Sequence, residues 1–159
     1  MIMGRRIFHY ITIAAMLATS ATAAAQSSAS GQTLEGAWNV AVAFNEPGLP
    51  PCAPAPSVVT TTSPGRGTVI ADSCYASESA GYGSWVRAGN NQFAIAFVGN
   101  SFGSDGTVGS TYKVRAWVSL TTTQNSFVGP FTTEIFDLGG NLLATFTGTV
   151  TATRIVVEP

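Results

Sequence analysis

The chain has 159 residues, of which 9% are charged, with seven basic side chains, eight acidic ones and a single histidine. That length suffices for one domain with a proper core, and the near-neutral charge excludes the basic patch that nucleic-acid binding requires. Two cysteines and one histidine cannot assemble a structural zinc site of the usual kinds.

Residues 1–25 read as a secretory signal peptide. Arg5 and Arg6 form a basic n-region, Ile7 to Ala21 an apolar h-region, and Ala23-Ala24-Ala25 a small-residue cleavage signal before Gln26. The apolar run is short for a membrane span; an uncleaved anchor is the alternative. Removing the leader removes His9, leaving no imidazole for a general base, a triad or a metal. The remaining cations are Arg66, Arg87, Lys113, Arg115 and Arg154, against eight acidic residues. The expected destination is periplasmic or extracellular, where Cys52 and Cys74 read as one disulfide rather than two free thiols.

Residues 26–33, rich in Ser, Gly and Gln, are expected to be a flexible lead-in, and 34–159 a single domain. Leu34 to Phe44 alternates, with Leu34, Gly36, Trp38, Val40, Val42 and Phe44 on one face, the mark of a half-buried strand. Asn45 to Pro56 carries five prolines around Cys52 and reads as a long loop pinned by the disulfide. Ser57 to Ser63 and Gly67 to Ser73 are β-rich runs around the turn signal Pro64-Gly65-Arg66, and Tyr75 to Gly81 is a second loop. The pattern then predicts strands at 82–88, 92–102, 108–121, 126–138 and 141–155. Asn90-Asn91, Asp105-Gly106, Gln124-Asn125 and Gly139-Gly140 mark the turns.

These turns set a register. A two-residue turn at Asp105-Gly106 places Phe97 opposite Val114, Ile95 opposite Ala116 and Phe93 opposite Val118, with Lys113 and Arg115 on the other face. A turn at Asn90-Asn91 joins Val86 to Ile95 and points Arg87 outward. A four-residue loop at Thr122–Asn125 pairs Leu120 with Phe127 and Ala116 with Phe131, and sets Lys113 opposite Glu134. One apolar face runs through four strands, and a one-residue slip would expose all of it. Eight alternating strands without helices to cover them predict an all-β, eight-stranded antiparallel up-and-down β-barrel. A two-sheet β-sandwich is the alternative.

On the predicted inner face, small Ala116, Gly129 and Gly148 stand among aromatic and aliphatic side chains. The ligand-binding candidates are Phe97 and Phe131, with Tyr82, Ser84, Tyr112 and Thr133 as polar handles. A barrel filled by its own phenylalanines is the alternative. Outside, Trp85 and Trp117 near Arg115 are candidate contacts for a homo-oligomer or an envelope partner. No phosphate loop or nucleophile–base pair is present, and no cofactor is expected. Glu134 points outward, and Asp137 sits at a turn, where such residues serve local hydrogen bonds.

Gly36-Ala37-Trp38 resembles the Gly-x-Trp signature of the lipocalins and their calycin relatives. The resemblance implies that Trp38 plugs one end of the barrel and that Arg154, ending the last strand, lies across it. The second lipocalin motif, Thr-Asp-Tyr, and a C-terminal helix are absent. The wider pattern Leu-Glu-Gly-x-Trp, Asp-Gly-x-x-Gly, Phe-Asp-x-x-Gly-Asn and Ala-Thr-Arg, from Leu34 to Arg154, is similar to small exported bacterial proteins of unassigned function. The function expected is non-covalent binding of a small apolar molecule. A structural or partner-binding envelope module is the alternative, and a barrel enzyme of the allene oxide cyclase or dirigent type comes third.

Overall fold

The structure, a computed structural model, describes residues 32–49, 52 and 54–158. The expected leader and most of the lead-in lie outside the described residues. Eight strands follow in order: β1 (Gly36–Phe44), β2 (Ala55–Ser63), β3 (Arg66–Ala71), β4 (Gly81–Arg87), β5 (Gln92–Phe102), β6 (Val108–Leu120), β7 (Ser126–Phe136) and β8 (Leu142–Arg154). Each pairs antiparallel with its chain neighbours, and β1 pairs with β8, so the sheet closes into a barrel. Closure leaves no sheet edge and sets the sandwich aside.

Turn chemistry delivers most of the expected register. Leu120 faces Phe127, Ala116 faces Phe131 and Lys113 faces Glu134, while Phe97, Ile95 and Phe93 face Val114, Ala116 and Val118. The last three pairs arise by an unexpected route. The β5–β6 turn spans 103–107, with Gly103 N donating to Thr107 O at 2.8 Å. Ser101 faces Ser110 but Phe102 faces Val108, so one extra residue on β6, a bulge, restores the register of a shorter turn.

The β4–β5 hairpin departs from expectation by one residue. Ile95 faces Trp85, not Val86, and Arg87 faces Phe93. Gln92 O accepts from both Ala88 N (2.8 Å) and Gly89 N (3.2 Å), which closes an odd-length loop instead of a two-residue turn at Asn90-Asn91. A slip of one residue inverts every side chain of the strand. Trp85 is therefore buried, at 2% exposure, where an outer contact was expected, while Tyr82 and Val86 are 62% and 46% exposed. The inverted orientation has a clear advantage. It buries the indole, gives its Nε1–H the Thr60 carbonyl at 3.0 Å, and stacks it edge-on against Phe93 at 5.6 Å. Gly81 and Gly83 turn inward with it, and a Cβ on Gly81 would lie 2.9 Å from Cε2 of Phe97, so the ring lies over bare backbone.

The two ends of the barrel differ. At one end lie residues 32–35, the β2–β3 turn at Pro64-Gly65, and the loops 88–91 and 121–125; at the other lie the loops 45–54, 72–80, 103–107 and 137–141. The first end is filled. Leu34, Trp38, Phe93 and Val118 have no exposed surface, and Leu120 has 1%. Burying each such side chain contributes roughly 1.5–3 kcal/mol. Toward the second end the inward residues Val42, Phe44, Phe97, Val114, Ile135 and Phe146 are only half-buried.

Candidate functional site

The floor of the site is built on Trp38. Its Nε1–H donates to Leu34 O at 2.8 Å, and its ring meets Phe127 with centroids 4.9 Å apart. Below it the Arg154 guanidinium carbon lies 4.2 Å from the indole centroid, on a residue directly cross-strand from Trp38. Arg154 Nε donates to Gln124 O at 2.9 Å, and its two terminal nitrogens donate to the carbonyls of Glu35 and Thr33. Burial pulls the guanidinium below its usual value. The spacing Gly36-x-Trp38 now has a physical cause: Gly36 sits at φ +134°, and a side chain there would run into the guanidinium. Three hydrogen bonds and one ring contact of a single arginine tie lead-in, β1, β8 and the loop 121–125 together.

Above this floor the barrel is hollow. A cavity of about 260 Å³ opens toward the second end, with walls of Val40, Val42, Phe44, Ile95, Phe97, Val114, Phe131, Ile135 and Phe146. Phe44 stands edge-on to both Phe131 (5.4 Å) and Phe146 (6.3 Å). The space exists because small residues stand opposite the rings. A Cβ on Gly148 would lie 2.7 Å from Cε1 of Phe131, so that ring spreads across neighbouring backbone.

The mouth is made by loops. Cys52 and Cys74 are joined, with Cα atoms 5.5 Å apart, which ties loop 45–54 to loop 72–80 as the cysteine pattern predicts. The second loop supplies Asp72, Ser73, Tyr75 and Glu78 to the cavity lining. Ser73 N donates to Asp72 Oδ1 at 3.0 Å, and Ser73 Oγ donates to Glu78 Oε2. Tyr112, 5% exposed, donates its hydroxyl proton to Ser79 O at 2.7 Å. Burial first, then the charges of Glu78 and Asp72, push its phenol up to about 12. The Tyr75 phenol is raised by the same two causes, burial and Glu78.

Of the residues expected at the site, Phe97, Tyr112, Phe131 and Thr133 line the cavity. Tyr82 and Ser84 do not; they lie on the outer wall because β4 is inverted. Leu49, Asp72, Ser73 and Glu78 were not foreseen, since loops carry no parity, although Cys52 and Cys74 flag both segments. Ser57, on β2 and 7% exposed, is a further unforeseen hydroxyl in the lining. Of the outer candidates, Trp117 is 48% exposed, and Arg115 pairs with Glu134 diagonally across the sheet. The carboxylate of Asp137 accepts from Asn141 N and Nδ2, both at 2.8 Å, in the turn role expected.

No protein-family model matches the sequence, and a search of curated proteins finds no match. Solved structures do match. EF1p2_mFAP2b bound to DFHBI superposes with a TM-score of 0.53 at 16% identity, over 77% of this chain and 94% of that one. A redesigned β-barrel, b11L5F_LGL, gives 0.51 at 15% identity, over 77% and 92%. At these identities the likeness is one of fold. The fold is a closed, eight-stranded, all-antiparallel β-barrel.

Proposed function

We propose that this chain binds one small apolar molecule, non-covalently, in the open half of the barrel. The observation that carries the reading is the cavity itself: about 260 Å³ of space between phenylalanines, above a floor sealed by Trp38 and Arg154. A mostly apolar cleft with a few placed polar groups is what such ligands require. The similar barrel EF1p2_mFAP2b holds DFHBI, so a barrel of this kind has room for a ligand. The floor geometry favours a calycin-like reading of the Gly36-Ala37-Trp38 motif. The leader expected from the sequence of residues 1–25 and the Cys52–Cys74 link are the support for placing the protein in an oxidising, exported compartment.

The reading is non-catalytic. Tyr112 donates its proton to a backbone carbonyl, which is no base, and the Ser73 hydroxyl, which donates to the Glu78 carboxylate and accepts from Tyr75 N, is engaged in holding its own loop together. The test is a fluorescence titration with prodan, a neutral naphthalene dye. Uptake is expected in the wild type and should fall at least tenfold in Phe131→Trp, with the thermal transition retained. Equal uptake by both proteins would reject the site.

A second reading rests on the outer wall. Val58, Ile70, Tyr82 and Val98 are cross-strand partners in one row over β2 to β5. They are 47%, 46%, 62% and 53% exposed. An apolar row of this kind is a feature of contact surfaces. Sedimentation of wild type beside Tyr82→Glu checks it: a dimer lost in the variant supports a contact face, and two monomers remove homo-oligomerisation from the reading.

A further inference from the structure

Five of the eight acidic side chains are concentrated at one end of the barrel, the others being Glu35 and Glu158 at the closed end and Glu134 on the wall. Glu46, Asp72, Glu78, Asp105 and Asp137 all lie on the loops of the open end, and no Lys or Arg lies on any of those loops. Arg66, Arg87 and Arg154 lie at the closed end, and Lys113 and Arg115 are on the outer wall, where Arg115 is taken by Glu134. Among the described residues of the cavity lining the only charged ones are Asp72 and Glu78, both at the mouth.

We infer that the ligand is a small organic cation: an apolar body seated among the phenylalanines, with a protonated amine at the mouth against Glu78 and Asp72. This deepens the binding proposal and rests on it. Three features converge. Among the described residues the floor and walls offer no counter-ion for a carboxylate, and Arg154 lies beneath Trp38 with three of its N–H donors given to backbone carbonyls. The mouth supplies acceptors and no charged donor. Beyond the contact itself, five carboxylates around one opening create a negative field that draws cations in and repels anions. Burial first, and then the charges of Glu78 and Asp72, raise the phenol of Tyr112 in the cavity wall. The apolar rings add faces on which an ammonium group is further stabilised during entry.

The experiment compares three probes of one shape by calorimetric titration of the oxidised protein at neutral pH: 4-phenylbutylamine, 4-phenylbutan-1-ol and 4-phenylbutanoate. The amine is expected to bind about tenfold more tightly than the alcohol, and the carboxylate more weakly than either. The amine-to-alcohol ratio should shrink toward one in 1 M salt, where the screening length falls to about 3 Å, and in the Asp72→Asn/Glu78→Gln variant. Should that variant fail to fold, the salt series on wild type carries the test. Binding of the carboxylate as tight as that of the amine, or an amine preference indifferent to salt, would overturn the inference while leaving the cavity reading intact. Failure of all three probes, the neutral alcohol included, would overturn both.

Discussion

Trp38 and Arg154 stand 116 positions apart in the chain, yet they are cross-strand partners and their side chains stack. Only closure of the barrel brings them together, so their coupling measures closure. Trp38→Ala should cost about 3–5 kcal/mol as a large-to-small core change. Arg154→Ala should cost on the order of 1–2 kcal/mol through lost stacking and stem packing. Denaturant unfolding of the double variant should then show less loss than the sum, by ~0.5–3 kcal/mol; strict additivity would contradict the contact. Tyr112 makes a separate claim. Its folded pKa, about 12, lies above the ordinary tyrosine value of about 10. The folded state therefore keeps a proton that the unfolded chain releases. The resulting stabilisation is complete below pH ~10 and lost as pH rises through about 12. Tyr112→Phe should remove that alkaline decline, and it should also cost roughly 1–3 kcal/mol at neutral pH because Ser79 O loses its buried donor. An unchanged alkaline profile in the variant would place the ionising group elsewhere.

At the scale of the strand, β4 shows what sequence reasoning can reach. Strands β5 to β8 were legible because each has one face plainly more apolar than the other and because the loop Thr122–Asn125 fixes the β6–β7 pairing, while the β5–β6 pairing matched because a bulge offsets the longer turn at 103–107. In β4 both faces are ambiguous: Tyr82, Ser84 and Val86 on one side, Gly81, Gly83, Trp85 and Arg87 on the other. Reading a two-residue turn at Asn90-Asn91 chose the wrong face, since the bifurcated hydrogen bonds to Gln92 O add a residue to the loop. The signal that would have corrected it is the glycine pair beside Trp85, two positions at which neighbouring backbone and Phe97 approach too closely for any side chain. The Trp38–Arg154 floor was legible from a three-residue motif and strand parity. The mouth was not, because loop residues have no periodicity to read. The β4 orientation yields a sharp contrast. Trp85→Ala should cost about 3–5 kcal/mol and Val86→Ala within about 0.5 kcal/mol in chemical unfolding. The reverse order would restore the other register.

Across the whole molecule, one end of the barrel is packed and of mixed charge, and the other is hollow and acidic. The filled end gives the stability that lets the open end go without a core: Leu34, Trp38, Phe93, Val118 and Leu120 are sealed, while the Cys52–Cys74 link holds the mouth loops in place of packing. That link closes a loop of 22 residues of separation, worth about 3 kcal/mol in the chain-entropy model. The barrel is thus neither wholly filled nor wholly open, and the division falls near Trp38. The most direct measurement of that division is a methyl NMR titration with 4-phenylbutan-1-ol. Perturbed resonances are expected at Val42, Val114 and Ile135 in the open half, with Val118 and Leu120 in the packed half and Val58, Ile70 and Val98 on the outer wall unmoved. Saturating perturbation of the outer-wall methyls, or of none, would contradict a binding cavity inside this barrel.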